Sequence, residues 1–242
     1  MPSGCVKHIF PTGKEVSEFS SELITKTAND AISQRGVFTL GVSGGSIVNI
    51  LAEKLLGNPQ VDWSKWKVFF CDERVVGFGD GDSTFGQFKV KLIDQANCLD
   101  SWYPINPNLP VTECARDYEA KLRSVFNSKE FPTFDLLLLG MGPDGHTCSL
   151  FPGHKLLQES KQWIAPIDDS PKPPPCRVTM TLPVLNHARN VAFISTGSSK
   201  ADAIKEIFST QNNPDQLLPA ARVQPTDGTL HWIMDQPAAS KL

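Results

Sequence analysis

Apolar residues recur along this chain in two rhythms. Between residues 16 and 34, Phe19, Leu23, Thr27, Ala28 and Ala31 share one helical face, and Gly36 stands where such a helix would end. VFTLGV (37–42) is short and apolar, which predicts a buried strand. SGGS follows it, and IVNILAEKLLG then reads as a helix closed by Gly57. The same alternation continues with strands at 66–71 and 134–140 and helices at 84–94 and 112–126. Strands at 163–167, 177–182 and 190–196 and a helix at 199–209 complete it. The strand runs are apolar throughout rather than alternating, as strands covered on both faces are. The expected architecture is α/β: a mostly parallel sheet with helices on both faces, Rossmann-like, with residues 1–242 as one domain. The Pro-rich DDSPKPPPCR (168–177) is short and the alternation resumes after it, so it reads as a surface loop.

In such a sheet, ligands bind beyond the carboxyl ends of the strands. Four segments there carry unusual residues. Ser43-Gly44-Gly45-Ser46 lies between a strand and a helix, and suits either a tight turn or a phosphate cradle at a helix N-terminus. Asp72-Glu73-Arg74 follows the second strand, and is either a solvated strand end or a substrate contact. In the second case Arg74 would fork onto phosphate and Asp72 would orient a group or sugar hydroxyls. The third is GMGPDGHTCSLFPGH (140–154), in which Asp144, His146 and His154 stand among glycines and prolines. An imidazole titrates near neutrality, so His146 suits proton transfer. Backbone N–H groups of Gly142, Asp144 and Gly145 are candidate oxyanion donors, whereas Pro143 has none to give. In STGSSKADAIKEIF (195–208), Lys200 stands near a helix start, either as a phosphate ligand or as an ordinary solvated lysine. Arg177, after the prolines, is a weaker candidate of the same kind.

Composition narrows the partners. Hydrophobic residues make up 40% and charged residues 20% of 242, with a net charge of -3. That balance implies no general attraction to nucleic acid or anionic membrane, so an anionic ligand must be held by local cations. No apolar run approaches the ~18 residues of a membrane span. The six cysteines include no C-x-x-C pair and read as free thiols of a reducing compartment. Cys148 lies in the histidine loop, but no neighbouring lysine or arginine activates it. No H-E-x-x-H set and no G-x-S-x-G elbow occurs, so the expectation is catalysis without metal, cofactor or serine nucleophile. The chain finishes Ser240-Lys241-Leu242, which reads as an address for a peroxisomal import receptor beside cytosolic residence, or as an incidental match in a cytosolic enzyme.

The motifs SGGS, FFCDERVV, FDLLLLGMGPDGHTCSLFPGH, RVTMTLPVLNHARNVAF, TGSSK and LPAARVQP occur in an order that resembles the 6-phosphogluconolactonases. STFG and DSPKPPP resemble the animal-type members in particular. The resemblance implies hydrolysis of 6-phospho-D-glucono-1,5-lactone, on an architecture shared with glucosamine-6-phosphate deaminases. It places the general base on His146, a phosphate-binding arginine on Arg74 and the Gly-rich turn on Ser43 to Ser46. Arg177 and Lys200 match later cationic positions, and Ser83-Thr84-Phe85 departs from the Ser-Asn-Tyr of many bacterial members. The deaminases resemble the chain at Gly-Asp-Gly-His but carry tyrosine after Asp-Glu, where this chain has Arg74. A non-catalytic sugar-phosphate sensor is the reading of another class; it would need Arg74 and Lys200 but not a titrating His146.

Overall fold

The computed structural model describes residues 4–128, 130–209 and 217–242. Its ten strands are β1 Cys5–Phe10, β2 Phe38–Val42, β3 Trp66–Phe70, β4 Asp72–Arg74, β5 Trp102–Tyr103, β6 Leu136–Leu139, β7 Ile164–Ile167, β8 Arg177–Met180, β9 Asn190–Ser195 and β10 Thr229–Asp235. The α-helices are α1 Gly13–Arg35, α2 Ser46–Leu55, α3 Thr84–Phe88, α4 Asp94–Ala96, α5 Val111–Val125, α6 Leu182–Asn186 and α7 Ala201–Ser209. The helix expected at 84–94 is α3 and α4 joined by a π-helical stretch, Lys89–Ile93.

Seven strands form one sheet in the order β1-β10-β9-β6-β2-β3-β5, and every pairing in it is parallel. Side chains of a strand alternate between faces, yet every residue of Phe38–Val42 and Leu136–Leu139 is buried. Both faces are therefore covered, and the uninterrupted apolar runs follow from that. The strands expected at 163–167 and 177–182 form, but outside this sheet. As β7 and β8 they join β4 in an antiparallel sheet of their own, ordered β4-β8-β7.

The N-terminal strand β1, its neighbour β10, and the short β4 and β5 were not anticipated. In β1 the residues are half-buried or exposed, so no apolar run marks it. Helix α1 begins at Gly13, three residues before the expected start at residue 16, because Thr12 and Glu15 form a capping box. It ends at Gly36, whose φ of 77° is left-handed and whose N–H reaches Ile32 O at 2.8 Å.

Chain order reverses between β2 and β6. The chain proceeds outward from β2 to β3 and β5 on one side, and from β6 to β9 and β10 on the other. The segments leaving β2 and β6 thus diverge from adjacent carboxyl ends and leave a crevice between them. At the opposite end, Asp135 is 4% exposed and accepts from Thr39 N and Thr39 Oγ1, each at 2.9 Å. It also pairs with Arg35 at 2.7 Å and with Arg189 at 3.4 Å. This one carboxylate ties α1 and β2 to β6 and to the approach to β9. Asp135→Ala leaves a buried N–H unmatched, and is expected to lower unfolding stability by roughly 2–3 kcal/mol in urea titration without changing the native circular dichroism spectrum.

Candidate active site

The crevice holds a cavity of about 440 Å³. Ser43, Gly44, Gly45, Ser46, Asp72, Arg74, His146, Arg177 and Lys200 all line it, with Gly140, Gly142, Cys148 and Thr196 among their neighbours. Four separate post-strand segments therefore converge. Of the residues anticipated at the site, Asp144, Gly145 and His154 lie outside the lining, and Asp144 is bonded to His146, which is in it.

The wall after β2 is the start of α2. Gly45 has φ 73° and ψ -137°, a shape that favours glycine, and α2 has no side-chain cap at its N-terminus. The first N–H groups of a helix lack intrahelical acceptors, and here they stand at the cavity. Ser43 Oγ is buried beside them with no hydrogen-bond partner among the described residues. A Cβ on Gly44 would come within 2.9 Å of Thr84 Oγ1, so α3 packs directly on this turn.

The second wall is the face of the small antiparallel sheet. Its register sets Asp72 opposite Thr179 and Arg74 opposite Arg177. Two guanidinium groups directly opposite each other repel. Burial and the neighbouring Arg74 both lower the Arg177 pKa. Arg74 Nη1 donates to Asp82 O at 2.8 Å, and its buried Nε has no partner among the described residues. Arg177 is 3% exposed and directs Nε and Nη2 at the carbonyls of Lys172, Pro173 and Pro174, between 2.9 and 3.0 Å. It serves the Pro-rich loop as well as the cavity. Asp72 accepts from Ser149 Oγ at 2.8 Å. Glu73, which sequence reasoning passed over, is fully buried and accepts from the N–H groups of Arg74, Thr84 and Phe85. Burial pushes its carboxyl up to about 7 against the pull of those donors.

The third wall is the loop after β6. Gly145 turns it at φ 75°. Gly142 N–H donates to His146 O at 2.9 Å, and Gly145 N–H to Gly142 O at 3.0 Å. These two N–H groups are spent on the loop itself, which corrects their assignment as oxyanion donors. The result is a tight turn that carries His146 Nδ1 to 2.5 Å from Asp144 Oδ1. A carboxylate only accepts, so Nδ1 carries the proton and Nε2 is left with its lone pair. Burial lowers the His146 pKa; Asp144 opposes that, and Lys172 adds to it. Burial raises the Asp144 carboxyl, but hydrogen bonds from His146 and Lys172 outweigh it and hold it at about 2.

Lys200 comes from the turn before α7. Gly197 (φ 86°) begins that turn, and its N–H is gripped by both oxygens of Asp235 at 3.0 and 3.1 Å. Burial and Lys172 lower the Lys200 pKa, and Asp144 raises it. The residue that sequence reasoning missed here is Lys172 itself. Its Nζ is 3.0 Å from Asp144 Oδ1 and 3.1 Å from His146 Nδ1. Cys148 lines the cavity, but its thiol pKa is raised well above the ordinary value by its hydrogen bond with Cys71 and by burial. His154 is elsewhere, bonded through Nε2 to Asp169 at 2.9 Å. Among the described residues no group of three or more His, Cys, Asp or Glu side chains could hold a metal ion. Nor is any helix among them long and apolar enough to cross a membrane.

A family model described as glucosamine-6-phosphate isomerases/6-phosphogluconolactonase matches residues 11–232. The chain belongs to that family. It is 46% identical over 240 residues to the 6-phosphogluconolactonase of Rattus norvegicus, covering 97% of this chain and 92% of the relative. The Homo sapiens 6-phosphogluconolactonase is 46% identical over 241 residues, with the same coverage. The crystal structure of the Thermotoga maritima 6-phosphogluconolactonase superposes with a TM-score of 0.82 at 25% identity, covering 96% of this chain and 99% of that one. Family membership agrees with the resemblance read from the motifs, and the parallel sheet with the resemblance's architecture.

One glycine of the family motif has a steric reason to be there. A Cβ at Gly142 would lie 2.0 Å from His146 Nδ1 and 2.5 Å from Asp144 Oδ1. Gly142→Ala is therefore expected to break the pair, removing the Asp144-bonded Nδ1–H resonance from the proton NMR spectrum and lowering stability by about 1–3 kcal/mol.

Proposed function

We propose that the chain hydrolyses 6-phospho-D-glucono-1,5-lactone to 6-phosphogluconate, the lactonase step of the oxidative pentose phosphate route, with His146 as general base and no metal. The observation that carries this reading is the Asp144–His146 pair at the rim of a cavity whose other walls supply Arg74, Arg177, Lys200 and the α2 N-terminus. The names of the rat and human relatives support the same reaction.

In this reading the cations and the α2 N–H groups hold the remote phosphate and so position the ring. Neutral His146 takes a proton from water through Nε2, and the water oxygen forms a bond to the lactone carbonyl carbon. Asp144 stabilises the imidazolium that results. As the carbon–ring oxygen bond breaks, the imidazolium returns the proton to the leaving oxygen. The carboxylic acid product then ionises and releases one proton to solvent, which a pH-stat records. The N–H groups of Gly142 and Gly145, already bonded, take no part in holding the oxyanion. Asp72 stands where it can accept from a sugar hydroxyl while bonded to Ser149.

General acid–base catalysis of this kind is worth ~10²–10⁴-fold. His146→Ala should therefore lower kcat by at least ~10²-fold in a pH-stat assay with fresh lactone, while 6-phosphogluconate still binds. The base must be neutral to act, and burial lowers its pKa, so the acid limb of kcat/KM should have its midpoint below the ordinary ~6.5. Near-normal turnover by the variant would sink the mechanism. Release of ammonia from glucosamine 6-phosphate would point instead to the deaminase branch of the family.

The C-terminal tripeptide supports a second address. Lys241 Nζ pairs with Asp202 Oδ1 at 2.5 Å, and Leu242 is 48% exposed. An exposed pair of this sort is worth at most ~1 kcal/mol, so it opposes capture by an import receptor only weakly. An N-terminal fluorescent fusion should reach both cytosol and peroxisomes, and one lacking Leu242 should be cytosolic only.

A further inference from the structure

The Pro-rich segment 168–176 is built into the site. Asp169 is held by His154 at 2.9 Å. The Lys172 carbonyl accepts from Ser170 Oγ at 2.8 Å and from Arg177 Nη2 at 3.0 Å, and its N–H donates to Ser170 Oγ at 3.2 Å. Both backbone polar groups of Lys172 are thus fixed, one of them by a buried arginine. From that fixed point the side chain reaches across 28 residues of sequence to Asp144 and 26 to His146.

We propose that Lys172 is a positioning residue of the Asp144–His146 pair: its ammonium, delivered by a loop that Arg177 straps down, steers the Asp144 carboxylate onto Nδ1 and disfavours a second positive charge on the ring. This deepens the lactonase reading and rests on it for its kinetic consequence. The ammonium approaches Nδ1, the ring atom opposite the one that takes the substrate-side proton. It therefore acts through the pair and touches no reacting atom.

The groups around His146 have distinct roles. On its own loop is Asp144, which stabilises imidazolium. From the Pro-rich loop comes Lys172, which opposes imidazolium, while Asp72 of β4 favours it more weakly. The Phe151 ring lies 4.9 Å from the imidazole and is uncharged. Arg74, Arg177 and Lys200 line the cavity on the substrate side. Lys172 is the cation that stands within 3.1 Å of the ring, so its removal has a definite sign. Loss of the ammonium stabilises imidazolium directly.

The test uses the full chain as wild type, Lys172→Met and Lys172→Arg. The Lys172 side chain is 39% exposed, so neither substitution should disturb folding. Two quantities are measured against pH: the His146 imidazole resonance by NMR, assigned by its absence from His146→Ala, and kcat/KM for the lactone. In Lys172→Met the NMR midpoint should rise by about one pH unit, within the range expected of a charge this close. The acid limb of kcat/KM should move with it, and kcat should fall by a larger factor than KM rises. Lys172→Arg should return both midpoints to wild type. An unmoved NMR midpoint in Lys172→Met overturns the proposal. An NMR midpoint that moves while the kinetic limb stays supports the role of Lys172 and removes His146 as the base.

Discussion

The hydrogen bond between Asp144 and His146 is the constraint around which the site is arranged. It exists because a glycine at 142 leaves the volume that a β-carbon would take. It is directional because the loop's own N–H groups close the turn beneath it. The short span between the two residues could not by itself bring them together. The turn does so, and the turn needs both a missing side chain and a left-handed residue, Gly145. With Nδ1 committed to the carboxylate, the other ring nitrogen is the one left with a lone pair, and burial favours the neutral ring. Local backbone geometry is thereby converted into a protonation state.

The second organising feature is charge held against the overall balance. The chain carries a net charge of -3, yet three cations and an uncapped helix start share one cavity wall system. They arrive from different layers of the fold. Lys200 and the α2 turn come from the parallel sheet, and Arg74 and Arg177 from the small antiparallel one. The reversal of strand order between β2 and β6 is what allows both sheets to contribute to one crevice.

Much of this was legible in the residues. Apolar runs without alternation marked β2, β3, β6 and β9, and the chemistry at their carboxyl ends marked Arg74, His146 and Lys200. What was not legible depended on partners distant in sequence. β1 pairs with β10 across most of the chain, Cys5 opposite Leu230, and its half-exposed residues hide it. β7 and β8 showed strand character, but nothing in their periodicity says which sheet they join. Lys172 sits in a loop that composition alone describes as surface, and only the folded chain brings it to Asp144. The N–H groups of Gly142 and Gly145 looked available because a motif does not display its internal hydrogen bonds.

The cross-strand register of Arg74 and Arg177 also bears on folding. Facing guanidinium groups oppose closure of the β4–β8 ribbon, with Asp72 on the same face as a partial counterweight. An anion seated between them would act as a missing member of that ribbon, so ligand occupancy and the integrity of the small sheet are thermodynamically linked.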